Sequence, residues 1–459
     1  KKGTNMKNAR PLTSLLLLAA PFARGKEPGA ADRLQGDLGV YARAAAYATE
    51  RHAEAVARPL KECVALALDC GRENAVRGCD FDLCRNLAGA DLRYLNLTAA
   101  KLDFCNLTGT LFDHADLDEA SFYAVTARGA SFRGSKMFRA KLDRSVLLDA
   151  AFDGAFLERA NLQEVVGDGA KFDTAYMHYA DLDRSSFNDA SFRHVVLTYG
   201  YMTAVQLNGA DFYRADLRKA NIRSLYEANG INFDQVNLEG TAITDCHFHQ
   251  CSFEEANLQL SSWEDVQFNY GYFNGANWNG SKMSDMGFEG ANLEGGTFQG
   301  VIFDQTRFTG ARLNHANFKH AYLKEADFRG VEGIFADFEG AELVLASFNE
   351  AALQFTNFDG TAITDSNWVG AKLEMASFFG TVGQEKADFS HVIGHPIGLD
   401  CVEECCGCGV GADIKTKAEM LFVPHSSYHS IDKDTGHFDL AAALLAHRKS
   451  SRRPMPGRG

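Results

Sequence analysis

From Leu87 to Phe378 the chain places a large apolar residue, most often Leu or Phe, at every fifth position, with a small residue two places earlier. The unit is cleanest in Ala90-Asp91-Leu92, Ala115-Asp116-Leu117, Ala160-Asn161-Leu162, Ala210-Asp211-Phe212, Ala256-Asn257-Leu258, Ala316-Asn317-Phe318 and Ala326-Asp327-Phe328. A helix repeats about every 3.6 residues and a half-buried strand at two, so neither keeps residues five apart on one buried surface. The chain must turn a corner once per unit.

The alternation between Leu and Phe has a period of its own, of twenty residues. Phe112, Phe132, Phe152, Phe172, Phe192 and Phe212 form one series, which continues after a single inserted residue as Phe233, Phe253 and Phe273. A second series runs Phe248, Phe268, Phe288, Phe308, Phe328, Phe348 and Trp368, and a third Phe298, Phe318, Phe338, Phe358 and Phe378. Four units therefore close one coil. Coils stacked at the strand spacing of about 4.8 Å would lay Phe on Phe inside a narrow core. With 28 units from Leu87 to Ile222 and 30 from Phe233 to Phe378, the expectation is an all-β solenoid of about fourteen to fifteen coils and on the order of 70 Å.

The Ala-(Asp/Asn)-(Leu/Phe)-x-x unit resembles that of the pentapeptide-repeat proteins, over roughly two thirds of the chain. The resemblance implies a right-handed, four-sided parallel β-helix and no single activity. Departures from the pattern are few. The large residue is replaced at Ala127, Gly167 and Glu227, all expected on one side of the square. Val165-Val166-Gly167-Asp168-Gly169, the extra residue between Leu225 and Phe233, and the breaks at Gly333 and Gly383 read as bulges, either simple corner irregularities or devices that re-aim side chains toward a partner.

The repeat accounts for residues 79–393 and leaves three other segments: 1–23, 24–78 and 394–459. Met6-Lys7-Asn8-Ala9-Arg10, the apolar Leu12–Ala20 and the small residues Ala20 and Ala23 have the layout of a secretory signal peptide, too short for a membrane span, with cleavage expected near Ala23. Lys1–Asn5 read as a translated bacterial ribosome-binding site upstream of the start codon. Residues 24–78 form an expected helical N-terminal cap. Pro59 separates two helices, and Val40, Ala44 and Tyr47, then Leu60, Val64 and Leu68, are spaced like helix faces that cap the first coil or dock another protein. Residues 394–459 read as an irregular, Cys-rich cap with a disordered basic tail.

Eleven cysteines bear on the compartment. Cys105, Cys246 and Cys251 fall at the inward small position, where a free thiol packs as a small hydrophobe. Cys63, Cys70, Cys79 and Cys84 precede the regular coils, and Cys401, Cys405, Cys406 and Cys408 follow them. Four at each end suits two disulfides per end, which persist in oxidising compartments and would cover the exposed edges of the end coils. The pairing within each set is open. For the second set a thiolate metal site, helped by His425 or His429, is the alternative, although a Cys-x-x-Cys pair is missing; unpaired or oligomer-linking thiols are a third.

Charge divides the repeat. Phe81–Asn229 holds 20 acidic and 17 basic residues, net −3, whereas Gly230–Ile393 holds 23 and 8, net −15. Between Arg223 and Lys282 there is no Lys or Arg, while Glu227, Asp234, Glu239, Asp245, Glu254, Glu255, Glu264 and Asp265 all occur. These carboxylates form a candidate surface for a basic protein partner, and they would repel nucleic acid; a merely solubilising surface is the alternative. The pentapeptide-repeat proteins linked to quinolone resistance are similar in being acidic rods proposed to imitate DNA for a type II topoisomerase. Against that role stand twice the expected length, the export signal and the Cys-rich ends.

The chain has no Gly-rich phosphate loop, Gly-x-Ser-x-Gly elbow or His-Glu-x-x-His helix. His247 and His249 flank Phe248 and should both point outward, as exposed neighbours or as a weak metal pair. The short corners leave no long loops to build a polysaccharide-cleaving cleft. The expected function is a non-enzymatic, exported bacterial scaffold, periplasmic or extracellular, that binds proteins and needs no cofactor or metal. A cytoplasmic DNA-mimicking regulator is the alternative, and a carbohydrate-active β-helix enzyme a distant third.

Overall fold

The computed structural model describes residues 59–72, 79–226 and 228–399. The signal-peptide stretch, the first of the two cap helices, Glu227 and everything from Asp400 onward, including Cys401, Cys405, Cys406 and Cys408, lie outside the described residues.

Each five-residue unit forms one side of a coil. Around Leu92, Ala90 and Leu92 are buried, Asp91 pairs in parallel with Leu111 one coil on, and Arg93-Tyr94 make the corner. The corners are β-turns with a left-handed third residue: the Ala90 N–H donates to the Leu87 carbonyl at 2.9 Å, and Gly89 between them has φ +70°. Glycine is the natural occupant, yet among the described residues forty non-glycines adopt this conformation, from Tyr94 at +62° to His391 at +59°. The geometry persists because the amide there feeds the next coil: Ala99 N–H donates to Asp118 C=O at 2.8 Å and Tyr94 N–H to Asp113 C=O at 3.1 Å.

That turn explains the Asp or Asn of the unit. Its side-chain oxygen accepts from the amide two residues on, as Asn96 does from the Thr98 N–H at 3.1 Å and Asn317 from the Lys319 N–H at 3.0 Å. Where the outward residue is Ser, an Asp of the previous coil takes over. Asp103 accepts the Ser121 hydroxyl at 2.5 Å and the Tyr123 N–H at 3.1 Å, and Asp173 does the same for Ser191 and Arg193.

Pairing is parallel throughout. One ladder runs Asp80, Lys101, Ser121, Lys141, Asn161, Asp181, Tyr201, Asn221, Ala242, Ser262, Lys282, Ile302, Tyr322, Glu342, Ala362, Val382, which is sixteen rungs and fifteen coil-to-coil steps. Longer pairing makes strands β1 (Tyr201–Thr203), β2 (Asn221–Arg223), β3 (Ala228–Asn229), β4 (Ala242–His249), β5 (Ser262–Asn269), β6 (Lys282–Ser284) and β7 (Ile302–Asp304), in the order β1-β2-β4-β5-β6-β7 with β3 beside β4. Paired coils continue to Ile397, which bridges Ser377.

In chain order the four sides point inward with Leu102, Leu107, Phe112 and Leu117 and are called sides 1 to 4. The side 3 column stacks Phe132 on Phe152 at 4.7 Å and Phe152 on Phe172 at 4.8 Å, with rings within 4° of parallel. After Phe273 that column changes to Leu293 and Leu313, and aromatics fill sides 2 and 4 instead, where Phe308–Phe328 and Phe318–Phe338 stack at 4.7 and 4.8 Å. Rings on these opposite sides meet edge to face across the core, as Phe328 and Phe338 do at 5.6 Å and 89°.

Two of the expected bulges are absent. Val146, Val166 and Ser186 pair at an unbroken twenty-residue step, so the Val165–Gly169 stretch is regular. Gly167 points inward because Phe187 of the next coil needs its space; a Cβ on Gly167 would lie 2.4 Å from that ring. Gly333 is likewise in register, with Leu353 over it. The extra residue is real: Arg223 pairs with Thr244 but Ala228 with Phe248, so the insertion falls between Leu225 and Ala228. The inward place expected for Glu227 therefore belongs to Ala228, which is buried. At Gly383, φ +87°, a one-turn 3-10 helix over Gln384–Lys386 adds another residue, and Asn367 pairs with Asp388.

At the start, α1 (Leu60–Arg72) follows Pro59 and lies against the first coil. The expected face is wrong by part of a turn: Leu60 and Leu68 are exposed, while Cys63 and Ala67 are fully buried. The disulfides Cys63–Cys84 and Cys70–Cys79, with Cα atoms 5.4 and 6.1 Å apart, hold that line of the helix inward.

Candidate interaction surface

Outward side chains follow from register. Asp234, Glu254 and Glu255 leave side 3, Glu239 leaves side 4, and Asp245, Glu264 and Asp265 leave side 1, opposite side 3. The eight candidate acids thus do not form one surface.

On side 3 the carboxylates are woven into the coil-to-coil network. Asp234 accepts the Ser252 hydroxyl and the Glu254 N–H, Glu254 accepts from Asn274 Nδ2 at 3.0 Å, and Glu255 from Gln235 Nε2 at 2.7 Å. On side 1 they converge. Asp245, Glu264 and Asp265 are joined by Asp285 around an open depression of 690 Å³, completed by Arg223, Thr244, Gln267 and Arg307. Asp245, Asp265 and Asp285 occupy one corner in three successive coils, all left-handed at φ 54°, 51° and 54°. Among the described residues none of these four carboxylates has an ion-pair partner within 4 Å. Arg307 is committed to Glu289 at 2.7 Å and Gln267 at 3.1 Å. Asp285 and Arg307 were not among the expected residues. The signal was the twenty-residue step from Asp245 to Asp265 to Asp285, which crosses Lys282, where the cation-free stretch ends.

His247 and His249 are exposed, each edge-on to a Tyr of a neighbouring coil: Tyr226 at 5.9 Å and Tyr270 at 6.1 Å. No cluster of three metal-ligating side chains occurs among the described residues. Cys105, Cys246 and Cys251 are buried free thiols, and burial pushes each up to about 12, so all three stay protonated and unreactive at neutral pH. No helix among the described residues is long and apolar enough to cross a membrane.

A repeating five-residue corner and self-contained ladders define a class of protein, the quadrilateral solenoids built from pentapeptides. The family profile "Pentapeptide repeats (8 copies)" matches residues 79–122, 96–134, 150–189, 185–223 and 231–261, and "Pentapeptide repeat region" matches 281–358. Together these segments take in just over half of the chain, which belongs to the pentapeptide-repeat family. No curated protein matches the sequence at a significant level. Among solved structures it is similar to full-length QnrB1, a plasmid-mediated fluoroquinolone resistance protein, at 17% identity and TM-score 0.23, covering 43% of this chain and 95% of that one. HetL, a pentapeptide-repeat protein involved in heterocyst differentiation regulation in Nostoc sp. strain PCC 7120, is 22% identical with TM-score 0.16, over 57% of this chain and 94% of that one. A pentapeptide-repeat protein of the Arabidopsis thaliana thylakoid lumen is 22% identical with TM-score 0.14, over 25% and 66%.

Proposed function

We propose that the chain is a non-enzymatic scaffold, exported to an oxidising compartment, whose flat sides bind protein partners. The observation that carries this reading is the side 1 row of Asp245, Asp265 and Asp285 with Glu264. These carboxylates are held one coil apart on paired strands, and among the described residues none has an ion-pair partner within 4 Å, with Arg223 and Arg307 at the rim of the same depression. A basic surface of a protein meets them without ordering a loop first, so little conformational entropy opposes binding. Two disulfides around α1 support the compartment.

The test is cell fractionation with mass measurement of the mature chain, followed by cross-linking in the intact compartment. The expected result is a processed, oxidised chain whose cross-links to a basic protein disappear in the variant Asp245→Asn, Glu264→Gln, Asp265→Asn, Asp285→Asn. An unprocessed cytosolic chain bound to a type II topoisomerase supports the DNA-mimic alternative instead.

A further inference from the structure

The corner that closes side 4 separates the molecule into two chemistries on one backbone. From coil to coil its left-handed position holds Arg139, Arg159, Tyr179, Tyr199 and Lys219, and after the insertion the same column holds Gly240, Leu260, Gly280, Gly300, His320, Gly340, Gly360 and Gly380. Glycine meets this φ without strain, whereas an L side chain is disfavoured there. Non-glycine corners are common throughout the repeat, so what sets these five apart is their chemistry rather than their backbone conformation.

They form a ladder on the surface. The Arg159 guanidinium lies 5.0 Å from the Tyr179 ring, Tyr179 stacks on Tyr199 at 5.0 Å, and the Lys219 ammonium sits 5.5 Å from Tyr199. Beside this ladder a second one stacks Phe156 on Tyr176 at 5.1 Å, and both rings are about half exposed. His178 and Thr198, hydrogen-bonded to each other, lie between the two rows. Over these five coils side 4 presents Lys136, Arg139, Arg159, Arg218 and Lys219; Lys136 and Arg139 pair with Asp116 and Glu119 of the coil before and Arg218 with Asp216, which leaves Arg159 and Lys219 as the cations at the two ends of the ladder. Its ion pairs are exposed and in part loose, with Arg159–Glu158 at 3.9 Å, while Lys219 stands over a ring rather than a carboxylate. Aromatic rings and Arg, rigidly held and partly exposed, are the chemistry of binding hot spots.

We propose that side 4 between Lys136 and Lys219 is a docking surface for an acidic, extended segment of a partner protein. The proposal rests on the scaffold reading and gives it a second, oppositely charged site. Carboxylates of the segment meet Arg159 and Lys219 at the two ends of the ladder, and its apolar side chains lie between the Phe156–Tyr176 and Tyr179–Tyr199 rows.

The test uses the full chain and fluorescence anisotropy of labelled peptides of repeated Glu-Glu-Pro, Gln-Gln-Pro and Lys-Lys-Pro, with dextran sulfate as competitor. The expected result is salt-sensitive binding of Glu-Glu-Pro but not Gln-Gln-Pro, weakened about tenfold in Tyr179→Gly/Tyr199→Gly and lost in Arg159→Glu/Lys219→Glu. Because glycine suits the corner, the Tyr→Gly variant should keep its circular dichroism spectrum and melt no earlier. No Glu-Glu-Pro binding, or binding indifferent to these variants, overturns the proposal. Tighter binding of dextran sulfate with the same dependence on the variants also overturns it, and assigns the surface to an anionic glycan. Binding of Lys-Lys-Pro that survives these variants but fails in the side 1 variant leaves the scaffold reading standing whether or not this proposal does.

Discussion

The coils before Asn229 and those after Gly230 share one backbone and almost nothing else. Both halves pair at twenty-residue steps and turn the same left-handed corners. The first half stacks its aromatics on side 3, carries Arg, Tyr and Lys at the side 4 corner, and is close to neutral; the second keeps the side 3 stack only as far as Phe273 and then stacks aromatics on sides 2 and 4, has mostly glycines at that corner, and is strongly acidic. The repeat prescribes volume inward and a hydrogen-bonding oxygen at the bridge, and leaves the remaining outward positions free to vary. A solenoid whose neighbours interact only locally can change chemistry from coil to coil without changing fold.

The largest expected effect treats the halves alike. Phe152→Ala and Phe328→Ala each remove a ring stacked above and below, and each should cost about 3–5 kcal/mol in urea denaturation. A cost confined to one half would mean that the two cores are not equivalent. Next, Cys63→Ser with Cys84→Ser opens a 21-residue loop and should cost about 3 kcal/mol, seen as faster amide exchange in the coils next to α1 and unchanged exchange beyond Asn229.

Smaller changes separate the surfaces. Asp265→Gly relieves a left-handed side chain and one of three neighbouring negative charges, so it should stabilise by about 1 kcal/mol while weakening capture of a basic partner. The smallest effect is pH-dependent. Burial pushes the Asp181 carboxyl up despite its bonds to Asp183 and Gln163. An acid whose folded-state pKa lies above its unfolded value costs stability once ionised, so its penalty grows as pH rises through the range just above about 4 and is relieved below it. Asp181→Asn should therefore raise the melting temperature slightly at pH 7 and leave it unchanged at pH 3.

Most of the fold was legible because period is a strong physical signal: five residues per corner and twenty per Phe column admit one architecture. The side 1 acids were legible individually, but their convergence was not, since three sides share the same cation-free stretch and only register sorts them. Gly167 looked like a bulge because the residue that fills its space, Phe187, lies twenty positions on and belongs to another unit. The face of α1 was misread because Leu60 and Leu68 suggested an apolar stripe, whereas two disulfides decide which line of the helix faces the coil. The Tyr–Arg ladder of side 4 gave no motif at all. Its members lie twenty apart, and only the closed coil brings them within 5 Å.

Two chemically distinct halves ride on one uninterrupted stack. Hydrogen exchange of the full-length chain, resolved by mass spectrometry, tests that continuity at β2, β3 and β4, where the inserted residue shifts the register. Protection should run on through Asn221–Arg223 and Ala242–His249 at the level of the coils on either side, declining only toward the ends. A sharp loss of protection there, with the two halves exchanging as separate units, would contradict it.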